Sequence, residues 1–203
     1  MSRLIAFGCS YTYGHGLADC HIEPNLFGLN PSKLAWPNLL ANMLDLEPVN
    51  CSNPGASNIH ILWKLLNFDF KDDDLCVIMW THFGRLPYSN LKYNSSIIEW
   101  DNYDNDLIRR LPEIEEENIV VKNYMSIHHG YLHLLSKKIP HHFIIWPSDG
   151  PLYKKHFINI PNMHGEINAL LCNIDKALDN NHPGENTHMS IATKLFNKIN
   201  VIH

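Results

Sequence analysis

Short uninterrupted apolar runs alternate along the chain with stretches whose apolar residues recur at helical spacing. Residues 3–8, Arg-Leu-Ile-Ala-Phe-Gly, form one such run ending at a glycine, the pattern of a buried strand opening into a turn. Leu34 to Leu46 carries leucine, alanine, tryptophan and methionine at helical spacing, with Pro37 in the first turn, where a missing N–H costs little. Val49 to Cys51 predicts a second strand, cut off by the turn signal Asn53-Pro54-Gly55. From Ser57 the pattern is helical again through Ile59, Leu62, Trp63, Leu65 and Leu66, with Ser57 or Asn58 as N-cap. The acidic turn Asp72-Asp73-Asp74 then precedes Leu75 to Thr81, the strongest strand signal in the chain.

Residues 84–111 break the rhythm, being rich in Asn, Asp, Tyr and Ser without a sustained period, and predict a long loop or insertion of the kind that is more often functional than idle. Pro112 to Lys138 predicts a long helix whose start carries Glu113, Glu115, Glu116 and Glu117 and whose end carries Lys137 and Lys138, the signs that suit the helix dipole. His142 to Trp146 predicts a fourth strand, Phe157 to Ile160 a weaker fifth, and Thr187 to Ile199 a closing amphipathic helix. Strands alternating with helices imply parallel pairing with helices on both faces. The expected fold class is therefore α/β, a three-layer α/β/α sandwich around a parallel sheet of about five strands. No repeat or linker divides residues 1–203, which read as a single domain.

Charge narrows the partners. With 16 Lys+Arg against 21 Asp+Glu the chain carries a net charge of −5 and scatters its lysines, which disfavours the basic face that nucleic-acid binding needs. The longest apolar runs, such as Cys76 to Trp80 and Phe143 to Trp146, are strand-sized and far short of the roughly 18 residues of a membrane span, so no membrane partner is expected. Met1 to Gly8 is too short to read as a signal peptide. Five cysteines (Cys9, Cys20, Cys51, Cys76, Cys172) without a CxxC pair read as reduced thiols, which together with these absences sets the expected location as cytoplasmic. Nothing in the sequence sets an oligomeric state.

The ends of the predicted strands carry the candidate chemistry, because ligands of open parallel sheets bind beyond the carboxyl ends of the strands. After the first comes Gly8-Cys9-Ser10-Tyr11-Thr12-Tyr13-Gly14, after the second Asn53-Pro54-Gly55-Ala56-Ser57-Asn58, and after the third Trp80-Thr81-His82. Near the C-terminus Asp179-Asn180-Asn181-His182-Pro183 precedes the last helix. A serine hydroxyl needs an imidazole to take its proton and a carboxylate to orient that imidazole. Asp179 and His182, three residues apart, can be presented by one turn, and Pro183 biases His182 toward an extended backbone. The backbone N–H groups of Ser10 and Gly55, each expected near a helix N-terminus, suit a developing oxyanion.

These residues resemble the SGNH, or GDSL-like, hydrolases. That family carries its nucleophilic serine in a block similar to Gly8-Cys9-Ser10-Tyr11-Thr12, an oxyanion glycine in a second block similar to Asn53 to Asn58, and a closing D-x-x-H-P, which Asp179 to Pro183 matches in each defined position. The resemblance implies a flavodoxin-like fold and a triad of Ser10, Asp179 and His182, with oxyanion donors at Ser10 and Gly55. The family's third block, G-x-N-D, is replaced by Met79-Trp80-Thr81-His82, so the asparagine donor is missing and Thr81, His82 or Asn58 are the candidates to replace it.

Competing readings attach to several residues. Cys9 adjoins Ser10 but points to the opposite face of an alternating strand, so it reads as a core cysteine. His129 and His133 stand at i, i+4 on the predicted long helix, yet lack an H-E-x-x-H glutamate or a third ligand and read as a half-exposed face. His188 is expected to pack beside the site. Trp80, Phe83, Tyr88, Tyr93, Trp100 and Tyr103 could stack on a sugar ring or simply cover the core. The resulting reading is a serine esterase acting on a small or carbohydrate-linked ester, with no metal and no cofactor. A catalytically impaired binding or structural module of the same fold, with a glycan as one candidate ligand, is the alternative, and a metallohydrolase built from the 14 histidines is a third.

Overall fold

A computed structural model of the protein describes residues 1–23, 26–83, 85, 116–145 and 160–200. Its elements in chain order are β1 (Arg3–Phe7), α1 (Ser10–Tyr13), a small hairpin of β2 (His21–Glu23) and β3 (Leu26–Phe27), α2 (Trp36–Met43), β4 (Glu47–Asn50), α3 (Asn58–Leu66), β5 (Leu75–Met79), α4 (Glu116–Ser136), β6 (His141–Ile144), β7 (Met163–His164) and α5 (Glu185–Asn200). Five of the strands form one sheet in the order β4-β1-β5-β6-β7 with every pairing parallel. The register sets Ile5 between Val49 and Cys76, Ile78 beside Phe143, and Ile144 beside His164. This is a flavodoxin-like order, in which the crevice for a ligand lies where the first strand meets its two neighbours.

The apolar strand runs are uninterrupted because both faces of the sheet are buried. Side chains alternate along a strand, so one core takes Ile5, Phe7, Cys76, Ile78 and Phe143 against Ile61 and Leu65 of α3 and Ile127 and Leu134 of α4. The other takes Leu4, Ala6, Val77, Met79 and Ile144 against Trp36, Leu40 and Ala41 of α2 and Ile191, Ala192 and Leu195 of α5. Helices thus cover each face in pairs, the three-layer sandwich expected from the pattern. Among the described residues no helix is long and apolar enough to cross a membrane, and all five cysteines are free thiols.

Several elements differ from the sequence expectation or lie outside the described residues. The fifth strand of the sheet is Met163–His164; of the expected segment 157–160 only Ile160 is described, and it lies in a bend. The loop expected at 84–111 falls outside the described residues except for Arg85, as do Tyr88, Tyr93, Trp100 and Tyr103. Ser57, rather than Asn58, caps α3, its hydroxyl accepting the His60 N–H.

His188 ties the two helices of one face together. Its Nδ1 accepts the backbone N–H of Trp36, the first residue of α2, at 3.1 Å. Burial, with a smaller push from His182 and a counter-pull from Asp175, lowers its pKa to about 4. The folded protein therefore keeps this ring neutral at pH values where the unfolded chain would protonate it. The sign follows: this contribution leaves stability unaffected above about pH 6.5 and erodes it as pH falls toward 4, by on the order of 2–3 kcal/mol. Urea unfolding at pH 7 and pH 4.5 measures the loss. A His188→Gln variant, which keeps an acceptor but cannot titrate, is expected to show a shallower dependence.

Candidate active site

The carboxyl ends of β1, β4 and β5 meet at one edge of the sheet. Gly8 lets β1 turn into α1 with no room to spare: a Cβ there would lie 2.0 Å from the Thr12 Oγ1 and 3.2 Å from the Met79 carbonyl. Thr12 thus folds back over Gly8, which explains why glycine and threonine flank the serine at this spacing. Cys9 caps α1 in extended backbone, its carbonyl accepting from the N–H groups of Thr12 and Tyr13, both at 3.0 Å. Its side chain is buried in the core, away from the turn's chemistry. Ser10 follows as the first helical residue, where a backbone N–H has no carbonyl of its own helix to reach, and is 4% exposed.

A closed loop carries Asp179 and His182. At its base the Asp175 carboxylate accepts the N–H groups of Asn186 (3.1 Å) and Thr187 (2.9 Å), capping α5 from a distance. Higher up, Lys176 bridges to Pro183 and the Ala177 N–H donates to the His182 carbonyl at 2.9 Å. Near the tip, the Asp179 Oδ1 accepts the N–H groups of Asn181 and His182, each at 3.0 Å, while Oδ2 meets the His182 Nδ1 at 2.6 Å. One carboxylate holds both the turn and the ring, which is the physical content of the D-x-x-H spacing. Burial would raise the Asp179 pKa, but these N–H groups and the His182 ring outweigh it and hold the carboxyl below its usual value. An ionised carboxylate can only accept, so Nδ1 carries the ring proton, and in the neutral imidazole Nε2 keeps its lone pair.

The loop packs against the segment that follows Ser10. The Leu178 N–H donates to the Gly16 carbonyl at 3.0 Å, and a Cβ on Gly16, whose φ is +86°, would lie 2.7 Å from the Asp179 carboxyl carbon. The His182 ring stacks on His15, with centroids 4.3 Å apart and planes at 20°, and meets Tyr11 edge-on at 5.3 Å. Ser10 and the Asp179–His182 pair, some 170 positions apart in sequence, are thereby joined through residues 11–16. No hydrogen bond links the Ser10 hydroxyl to His182. Tyr11, His15 and Gly16 were not legible as site residues; a histidine between two glycines just past the serine block is the one local signal.

The second block is tied to the first. The Asn53 N–H donates to the Gly8 carbonyl at 3.2 Å and the Asn50 amide to the Thr12 carbonyl at 2.8 Å. Gly55 is buried in this loop with φ +72°, a conformation that favours glycine. Asn58 is fully engaged: its Oδ1 accepts the Thr81 N–H (2.8 Å), and its Nδ2 donates to the Thr81 carbonyl (2.9 Å) and to Asn123 Oδ1 (2.7 Å). Both amide protons are used, so Asn58 holds the end of β5 in place. The Thr81 hydroxyl is buried with no hydrogen-bond partner among the described residues. Burial, aided by Arg85, lowers His82 to about 4, which keeps it a neutral imidazole near pH 7.

Among the described residues His15, Asp179 and His182 are the one group of three metal-ligating side chains, their ligand atoms all within 4.8 Å of one another. His129 is exposed on α4 and His133, half-buried, faces Phe70 with ring centroids 6.5 Å apart. Trp80 and Phe83 are buried in the core.

No protein-family model matches the sequence, and no curated protein matches it significantly. Solved structures do share its fold. A carbohydrate esterase whose active site displays divergent catalytic and non-catalytic binding functions matches with a TM-score of 0.62 at 14% identity, covering 98% of this chain and 65% of its own. A Desulfitobacterium hafniense protein assigned to the lipolytic G-D-S-L family matches with a TM-score of 0.55 at 12% identity, over 96% and 98% of the two chains. A psychrotrophic esterase from a Pseudoalteromonas species, solved with monoethylphosphonate as inhibitor, matches with a TM-score of 0.55 at 15% identity over 99% and 97%. The chain thus spans about two thirds of the length of the carbohydrate esterase. Its fold is that of the SGNH hydrolases.

Proposed function

We propose that the protein is a serine ester hydrolase in which Ser10 attacks, His182 shuttles the proton and Asp179 orients the imidazole, with a small or carbohydrate-linked ester as substrate. The observation that carries this reading is the Asp179–His182 pair at 2.6 Å, held by its own turn against the segment that follows Ser10. The esterases that share the fold support the reaction class, and the carbohydrate esterase among them supports the carbohydrate side of the substrate.

The Ser10 Oγ adds to the ester carbonyl carbon while its proton passes to the His182 Nε2. The carbonyl oxygen becomes an oxyanion, accepting from the N–H groups of Ser10 and Gly55 and from the Thr81 hydroxyl or the His82 ring in place of the family's asparagine. Collapse breaks the C–O bond, and His182 returns the proton to the departing alcohol. Water then repeats the sequence on the acyl-serine, with His182 again as base, releasing the acid and restoring the Ser10 hydroxyl.

One observation favours a second reading, a glycan-binding module of impaired activity. The asparagine of the third block is missing, and the nearby Asn58 uses both its amide protons within the protein. A fluorophosphonate probe decides between the two. An activated serine displaces fluoride from phosphorus and stays covalently labelled. Labelling of the native chain that disappears in Ser10→Ala is the expected result. A native chain that does not label at all favours the binding module.

A further inference from the structure

We propose that His15, Asp179 and His182 form a site for a divalent transition-metal ion of the zinc type, and that occupancy of this site shuts off the hydrolase. The site stands on its own geometry; only its inhibitory consequence rests on the function proposed above.

Two imidazoles and a carboxylate are a donor set suited to zinc. Their ligand atoms lie within 4.8 Å of one another, whereas neighbouring donors around a tetrahedral zinc ion are about 3.3 Å apart. Small rotations of side chains close that difference. All three residues are half-buried, so water and ions can reach them while neighbouring residues limit their motion. The Asp179 Oδ2 and the His182 Nδ1 already lie 2.6 Å apart, so an ion between them takes the place of the proton they share.

The inhibitory consequence follows from the lone-pair count. In the metal-free ring Nδ1 carries its proton toward Asp179, so Nε2 holds the lone pair that can take a proton from Ser10. An ion held by Asp179 must take the His182 Nδ1, since the Nε2 lone pair points away from that carboxylate; the neutral ring's proton then sits on Nε2, and the reaction loses its base. His15 has no assigned part in the ester chemistry; its position against the His182 ring turns a catalytic pair into a three-donor cluster.

The test titrates zinc into chelator-treated native protein by calorimetry, alongside His15→Phe, which keeps an aromatic ring on His182, and His15→Gln, which keeps a polar side chain there. The expected result is saturable binding of one ion by the native chain, weakened about tenfold or more in both variants. In parallel, zinc should slow fluorophosphonate labelling of the native protein, EDTA should restore it, and labelling of His15→Phe should no longer respond to zinc at the same concentration. Absence of saturable binding overturns the site, as does binding that both variants retain, which would place the ion on other histidines. Zinc that binds without slowing the labelling overturns the inhibition. A metal-free native protein that fails to label refutes the hydrolase reading alone, because the calorimetry still decides the site.

Discussion

Replacing Ser10 by alanine is expected to lower kcat for a simple aryl ester by about 10⁶-fold, and His182→Ala to lower it by nearly the same factor. The two losses should not add. Without the hydroxyl there is no atom for the imidazole to activate, and without the imidazole the hydroxyl is a poor nucleophile at neutral pH. A Ser10→Ala/His182→Ala double variant is therefore expected to match either single one. What remains should still exceed uncatalysed hydrolysis by roughly 10³–10⁴, supplied by oxyanion donors and substrate binding. Steady-state kinetics on the four proteins reads this directly. Single variants that keep more than a tenth of native kcat would rule out Ser10 and His182 as the chemical pair, and losses that multiply would mean the two residues act separately.

The layered fold was legible from the sequence because its signals are local and repeated. β1 and β5 read as strands because a strand buried on both faces must be apolar at every position, and Leu4 to Phe7 and Cys76 to Met79 are. Two-residue strands such as Met163–His164 carry no period at all; only their neighbours in the sheet define them. The same distinction separates the parts of the site. The D-x-x-H turn is closed by one carboxylate within four residues, so its spacing survives in the sequence. The stacking of His15 on His182 joins positions 167 apart and leaves no trace in either local pattern. Gly16 belongs to the same class, since its need for glycine comes from the Asp179 carboxylate arriving from the other end of the chain.

Asp179→Asn is expected to lower kcat by about 10⁴-fold while leaving the fold intact, and the reason lies in how the carboxylate divides its lone pairs. Its Oδ1 accepts two backbone N–H groups and its Oδ2 accepts the His182 Nδ1–H, so both oxygens act as acceptors. Asparagine offers one acceptor and one donor. The turn claims the acceptor, because the N–H groups of Asn181 and His182 would otherwise face the NH₂ group, donor against donor. The amide NH₂ is then left facing Nδ1, which can meet it only by giving up its proton and accepting instead. In the neutral ring that proton moves to Nε2, the atom that must receive the serine proton. The variant should therefore be folded, with urea unfolding close to native, yet carry the wrong tautomer. The ¹⁵N chemical shifts of the His182 ring report which nitrogen is protonated, and kcat measures the consequence. An Asp179→Asn variant that keeps Nδ1 protonated, or that retains activity within tenfold of native, would show that Asp179 does not set the imidazole for catalysis.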